Sequence, residues 1–358
     1  MKPIDQSIKS IIQSYEKKTK TLQVYVESSC LDQPIIYENT HENQKFHSAS
    51  VGKLMTTTLI VQAIETGLLN WDQHIHELFE KGYLDQLFVY KNMDYQSIVT
   101  ISDLLSHTSG INDYFEGKSD LKPSFLDQVI ENPDRFYTPN DLIDITRKHQ
   151  QAVGKPGGRF LYSDTGFVLL GLILEKIHQK PFYELLRTYI FDPLSMHDTS
   201  FMFYDPLFKS EELAPVIIKH QDIKTYTSLS LDFSGGGLST TVSDLAKFMR
   251  AWREQKLFSI ESHQKMAVFK HHFTSGMYYG LGMMELRFEK VFFLLKGFPR
   301  FHGHLGVLGV HAWVDTLHGD IFIINMGNLS DMVKSFQLLI QVVSVIEKAR
   351  KKKSHQQV

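Results

Sequence analysis

Ser50-Val51-Gly52-Lys53-Leu54-Met55-Thr56-Thr57-Thr58-Leu59-Ile60-Val61-Gln62-Ala63-Ile64-Glu65-Thr66-Gly67 sets a serine and a lysine three residues apart at the head of a long apolar run. Leu54, Leu59, Ile60, Ala63 and Ile64 recur at helical spacing, and Gly67 stands where a C-terminal stop belongs. The run predicts a helix from Ser50 to Thr66. The first backbone N–H groups of a helix lack intrahelical partners and carry the positive end of its dipole, so they can stabilise an oxyanion. Three residues is close to one turn, which lets the Lys53 side chain reach the Ser50 hydroxyl without distorting the backbone. Ser50 is then a nucleophile and Lys53 its activator. A Ser50 that merely caps the helix is the plain alternative, and this fragment alone does not separate the two.

Ser-x-x-Lys also occurs at Ser14/Lys17, Ser119/Lys122 and Ser262/Lys265. Those three lie in polar or charged stretches, and only Ser50 opens an apolar helix. N-terminal to it, Ile8, Ile11, Ile12 and Tyr15 mark an amphipathic helix over Ile8–Lys18. Leu22, Val24 and Val26 then alternate, and Asp32-Gln33-Pro34 leads into Ile35–Tyr37, which reads as two strands and a turn. C-terminal to the serine, helix starts appear at Ser102, at Pro139 and over Asp164–Ile177. Ser243 is expected to cap a helix from Asp244 to about Glu254. Val291–Leu295, Val310–Val314 and Ile321–Asn325 read as strands of an antiparallel sheet, and a final helix over Asp331–Lys348 has an apolar face to cover it. The expected fold is α+β: an antiparallel sheet flanked by N- and C-terminal helices, with a mainly helical region inserted. In residue terms, 1–49 plus 260–358 form one domain, 50–259 the helical region, and the active site lies at their interface.

With 42% hydrophobic and 22% charged residues, the composition is that of a folded globular chain and not of a disordered one. A formal net charge of −2 creates no field for nucleic acid or an anionic membrane, which leaves a small molecule as the expected partner. The run Lys348-Ala349-Arg350-Lys351-Lys352-Lys353 reads as a solvated helix end. Cys30 is the single cysteine, so neither an intrachain disulfide nor a cysteine-based metal site is available. Met1–Lys20 is charged throughout and lacks the apolar core of a signal peptide, which makes the cytoplasm the expected location. The apolar stretch Leu338–Ile346 is too short to span a bilayer, so no membrane span is expected.

Two further elements can carry chemistry. Tyr-x-Asn or Tyr-x-Asp occurs at Tyr37, Tyr83, Tyr90 and Tyr162, but only Tyr162-Ser163-Asp164 follows a glycine-rich loop, Pro156-Gly157-Gly158-Arg159, and precedes an apolar helix. A phenol and an alkyl ammonium both hold their protons at neutral pH, yet either becomes a base when its surroundings favour the other form, and a close pair titrates as a unit. His304-Leu305-Gly306 is the only His-x-Gly in the chain. On a strand edge its glycine admits a substrate close to the backbone, while His304 offers a donor or proton shuttle.

At these three elements the chain resembles the serine β-lactamase and penicillin-binding-protein-like superfamily, in the branch of class C β-lactamases, D-aminopeptidases, DD-carboxypeptidases and esterases. Phe46–Lys53, Leu104-Leu105-Ser106-His107-Thr108-Ser109-Gly110, Pro193-Leu194-Ser195-Met196, Gly236-Gly237-Leu238-Ser239-Thr240 and Tyr279-Gly280-Leu281-Gly282 extend the resemblance from about Val24 to Ile346. It implies the β-lactamase/transpeptidase-like fold and a Ser50 acyl-enzyme. It further implies Lys53 and Tyr162 handling protons, and an oxyanion hole made by the N–H groups of Ser50 and Val307, with no metal or other cofactor. Asp164, His304 and Gly306 fall on its substrate-binding positions.

Three departures bear on the substrate. Asp164 stands where the motif often has Asn, and a carboxylate can pair with Lys53. Leu305 replaces a hydroxyl residue, and His304 a permanently charged lysine. These weaken carboxylate recognition and favour an ester or a small amide or peptide over a β-lactam. The rival readings are a metal site on His302, His304, His311 and His318, a phosphate loop at Gly235–Thr241, and a protein that binds peptide-like ligands without turnover.

Overall fold

A computed structural model describes residues 3–356. Its main helices are α1 (Ile4–Glu16), α2 (Lys53–Glu65), α3 (Asp164–His178), α4 (Val242–Arg253) and α5 (Met332–Gln356). The alternating residues after α1 become β1 (Gln23–Glu27), which forms an antiparallel hairpin with β2 (Ile35–Glu38), Val26 facing Ile35. Six strands come from the C-terminal third: β3 (His271–Thr274), β4 (Met277–Tyr279), β5 (Met284–Leu286), β6 (Phe301–Gly306), β7 (Val310–Asp315) and β8 (Ile321–Asn325). They run β3-β4-β5-β6-β7-β8-β1-β2, every neighbour antiparallel. The two ends of the chain thus share one sheet, and the helical stretch between them leaves and returns.

β7 and β8 are buried along their whole length because both faces of the sheet are covered. On one face Ile8, Ile12 and Tyr15 of α1 and Leu338, Leu339, Val342, Val343 and Ile346 of α5 pack with Val24, Val26, Phe322 and Ile324. On the other face Leu245, Phe248 and Met249 of α4 join Tyr25, Ile321 and Ile323 in a larger core that also holds α2 and α3. The last two helices are enclosed on all sides over much of their length: residues 53–61 of α2 and 165–171 of α3 are buried without a break.

Four local expectations change. The predicted strand Val291–Leu295 is instead a helical turn, Phe288–Val291, followed by a 3₁₀ turn, Phe293–Leu295. Its branched and aromatic side chains are largely exposed, so no facing strand is there to select the extended form. Thr241, two residues before Ser243, caps α4 by accepting the Asp244 N–H at 3.1 Å. Ser50 lies in a 3₁₀ turn, Ala49–Gly52, and α2 begins only at Lys53. Finally, α5 runs well past Lys348, and Leu329–Lys352 is long and apolar enough to cross a membrane by length and composition alone. Its apolar residues named above are committed to α1 and the sheet.

Candidate active site

Ser50 is held by its neighbours and not by helix capping. Gly52 abuts Gly236, where an added Cβ would stand 2.9 Å from the Gly236 Cα, and a Cβ on Gly236 would stand 2.3 Å from the Ala49 carbonyl oxygen. Only two facing glycines permit that approach, and Ser48 Oγ fixes it by donating to the Gly236 carbonyl at 2.7 Å. The Gly235–Thr241 segment therefore packs beneath the serine turn, which replaces the phosphate-loop reading.

Lys53 is the first residue of α2, and its side chain is 0% exposed. Its ammonium donates to the Asp164 carboxylate, to the Gly235 carbonyl at 2.6 Å and to Ser50 Oγ at 3.1 Å. Three N–H groups meet three acceptors, so the buried charge is both paired and fully hydrogen-bonded. The amine also lies 4.9 Å from the centroid of the Tyr162 ring.

Ser163 caps α3 by accepting the Gly166 N–H at 3.2 Å. That cap puts Tyr162 immediately before the extended cap residue and Asp164 in the first turn of the helix, both near Lys53. The Tyr162 hydroxyl oxygen is shielded from solvent and makes no hydrogen bond of normal geometry. Burial, then the Asp164 charge, push this phenol well above its ordinary range, while the Ser50 hydroxyl acts the other way. Burial also raises the Asp164 carboxyl, and Lys53 partly offsets it.

A carboxylate missed in the sequence stands behind Asp164. Asp113 is buried, accepts the N–H groups of Asp164 and Glu116 at 2.7 Å each, and is pushed up to about 7 by burial first and by Asp164 second. No periodicity marks it, because Asp164 lies on another segment.

The opposite wall is β6. Gly306 comes so close to the serine turn that an added Cβ would stand 2.8 Å from Ala49 Cβ and 3.3 Å from the Ser50 nitrogen. Val307 and Leu305 line the cavity there. His304 does not: it is 0% exposed, with Nδ1 2.8 Å from the Leu305 carbonyl and Nε2 3.1 Å from the Tyr279 hydroxyl. Nδ1 must carry the proton to donate to the carbonyl, so Nε2 accepts from Tyr279. Burial, then Lys53, push this imidazole down to about 3. Strand alternation turns it to the interior face, where it braces Tyr279 and is not a donor into the cleft.

The cavity over Ser50 has a volume of about 630 Å³, with Tyr162, Asp164, Glu116 and Asp232 among its lining. Most of the remaining wall is apolar, including Phe115, Phe273, Met284 and Leu305, and among the described residues no lysine or arginine lines it.

The four clustered histidines do not converge. His311 bonds Ser335 at 2.7 Å, His302 faces Glu285 at 3.6 Å and His318 faces Asp315 at 2.9 Å. Among the described residues one group, Asp315, His318 and Glu347, is close enough to share an ion. Arg350 already pairs with its carboxylates, at 2.7 Å from Glu347 and 3.5 Å from Asp315.

A family model described as Beta-lactamase matches residues 37–340. Among curated relatives, a penicillin-binding-protein relative named PbpX from Bacillus subtilis is 27% identical over 237 residues, 65% of this chain and 52% of that protein. Penicillin-binding protein 4* of the same organism is 28% identical over 160 residues, 44% of this chain and 30% of that protein. The chain thus spans about half the length of such relatives or less. Among solved structures, D-amino acid amidase from Ochrobactrum anthropi SV3 superposes with a TM-score of 0.80 at 19% identity, covering 98% of this chain and 100% of that one. EstCE1, a hydrolase with promiscuous acyltransferase activity, gives 0.72 at 16%, covering 96% and 98%. These two share the fold.

Proposed function

Because the chain belongs to the beta-lactamase family, we propose that it is a serine hydrolase that cleaves an ester or amide through an acyl-enzyme on Ser50. The observation that carries this reading is the contact of Ser50 Oγ with a fully buried Lys53, at the floor of a cavity that Tyr162 also lines. A lysine sealed away from solvent against a serine is costly to bury and is better explained by activation than by capping.

In the proposed cycle the Lys53–Tyr162 pair has first given up one proton to solvent, leaving Tyr162 as phenolate beside the Lys53 ammonium; Ser50 Oγ attacks the substrate carbonyl carbon, and its proton passes to the Tyr162 oxygen. The new oxyanion is held by the N–H groups of Ser50 and Val307, a stabilisation worth about 3 kcal/mol per donor in comparable sites. Collapse breaks the ester or amide bond, the leaving oxygen or nitrogen takes the proton back, and water attacks the acyl carbonyl in the same way. Lys53 spends all three N–H groups in the resting arrangement, on Ser50, Asp164 and Gly235.

The wall chemistry sets the expected substrate. A free carboxylate would meet Glu116 and Asp232 and, among the described residues, no lysine or arginine. A neutral ester or amide with a bulky apolar part fits the lining, which orders the candidates as ester, then amide of a D-amino acid, then β-lactam. One observation favours binding without turnover: the Asp164 carboxylate holds Lys53 as a donor.

Hydrolysis of p-nitrophenyl butyrate, D-phenylalaninamide and nitrocefin by wild type and Ser50→Ala tests the proposal. Ester turnover that falls at least about 10³-fold in Ser50→Ala is expected. Turnover that survives the substitution contradicts the proposal, and wild-type acylation without turnover selects the binding role.

A further inference from the structure

We infer that His107 is the positioning residue that holds Tyr162 opposite Ser50; this rests on the proton-handling role proposed for Tyr162. One residue reaches Tyr162 from three sides. The Leu161 N–H donates to the His107 carbonyl at 3.0 Å, and the Ser163 N–H donates to His107 Nδ1 at 3.0 Å. Both amides flanking Tyr162 are therefore tied to the same residue. The His107 ring also lies against the Tyr162 ring, centroid to centroid 4.3 Å.

His107 is itself immobilised. It is 3% exposed, and its ring is boxed by Phe160, Phe167 and Tyr279, the last at 4.5 Å in an edge-on arrangement. Tyr279 is bonded in turn to His304 of β6, so the clamp is referred to the wall that faces Ser50. Accepting the Ser163 N–H requires Nδ1 to be bare, which places the ring proton on Nε2, an atom without a hydrogen-bond partner. Burial and the nearby Lys53 keep the imidazole neutral and so keep Nδ1 an acceptor.

The backbone adds a constraint. His107 has φ +58°, a left-handed conformation that Asn tolerates better than most residues. A residue that only filled space there would need neither an acceptor at the Nδ1 position nor that conformation. A nucleophile and its proton acceptor must be held within a fraction of an ångström, and a misplacement of about 1 Å costs about 100-fold in rate. The Tyr162 hydroxyl makes no hydrogen bond of normal geometry, so the two tied amides and the ring beneath carry much of its positioning.

The test is a comparison of His107→Phe, which keeps a ring and loses the acceptor, with His107→Asn, which keeps an acceptor and the left-handed backbone. With p-nitrophenyl butyrate, kcat of His107→Phe is expected to fall about 100-fold with KM within about threefold, and His107→Asn to recover at least about tenfold of that loss. In a Tyr162→Phe background the further loss from His107→Phe is expected to shrink to within about threefold, because the residue acts through Tyr162. His107→Phe as active as wild type, His107→Asn no better than His107→Phe, or a full loss persisting in the Tyr162→Phe background overturns the inference. If His107→Phe fails to fold, His107→Ala, which also loses the acceptor, takes its place, and exchange of the Ser163 amide faster than wild type is expected; unchanged exchange overturns the inference. Ser50→Ala in parallel keeps the two readings apart: activity surviving there sinks the acyl-enzyme itself, whereas a dead Ser50→Ala beside an unaffected His107→Phe sinks only the clamp.

Discussion

Replacing Asp164 by Asn removes the one negative charge in direct contact with Lys53 while preserving shape and an acceptor oxygen. Asp164 is the second-largest cause, after burial, of the raised Tyr162 phenol. Lys53 Nζ bonds the carboxylate and lies 4.9 Å from the Tyr162 ring centroid, so the charge sits near the phenol. At an effective dielectric of about 20, unit charges ~7 Å apart interact by about 2 kcal/mol, or between one and two pK units. The phenolate becomes easier to form, and the rising limb of the pH–rate profile moves toward lower pH. Asp113 returns part of that charge, because Asp164 helps to hold it at about 7 and its ionisation becomes easier once Asp164 is neutral. The single variant should therefore shift by about one unit, and Asp164→Asn with Asp113→Asn by more. The assay is kcat/KM for p-nitrophenyl butyrate from about pH 5 to about pH 10, corrected for spontaneous hydrolysis. A limb that stays in place or moves to higher pH refutes the reasoning.

Gly306→Val should lower kcat/KM by about 100-fold with folding retained, since its Cβ would stand 2.8 Å from Ala49 Cβ and 3.1 Å from the Ser48 carbonyl and would drive β6 away from the serine turn. Near-normal esterase kinetics would show that the close approach is unimportant. Thermal stability should fall as pH drops from about 6.5 toward 4: His304 and His311 titrate at about 3 and His263 at about 4 in the folded chain, below the unfolded value of about 6.5. Their stabilising contribution is complete above that value and is lost as the unfolded chain takes up protons first. Melting curves for His311→Gln should be flatter through this window than wild type, and an equal slope contradicts the assignment. The apolar cavity should favour longer acyl groups. Four added methylenes on a p-nitrophenyl ester are worth up to about 3 kcal/mol, so octanoate should exceed butyrate by at least about tenfold in kcat/KM. A preference for acetate tells against the lining as an acyl pocket.

Much of this architecture was legible because single segments carry it. The apolar run after Ser50 had to be a buried helix, and Leu22–Val26 alternates as a strand must. The elements that misread are those chosen by distant neighbours. Val291–Leu295 has strand-forming residues but no strand to pair with, and Thr241 outcompetes Ser243 because the chain turns into α4 two residues earlier. Parity placed His304 on a strand without saying which face was interior. Asp113 and His107 were invisible as site residues because their partners lie 51 and 56 positions away in sequence. The grouping of Ser50, Lys53, Tyr162 and Asp164 rests on two short motifs, one in the turn that leads into α2 and one at the start of α3.

The most direct measurement is intact mass after brief exposure to p-nitrophenyl butyrate and acid quench, with peptide mapping, for wild type and Ser50→Ala. One butyryl group on the peptide that contains Ser50, absent from Ser50→Ala, is the predicted result. Butyrylation that persists in Ser50→Ala, or that maps to another residue in the wild type, contradicts the claim that Ser50 is the nucleophile.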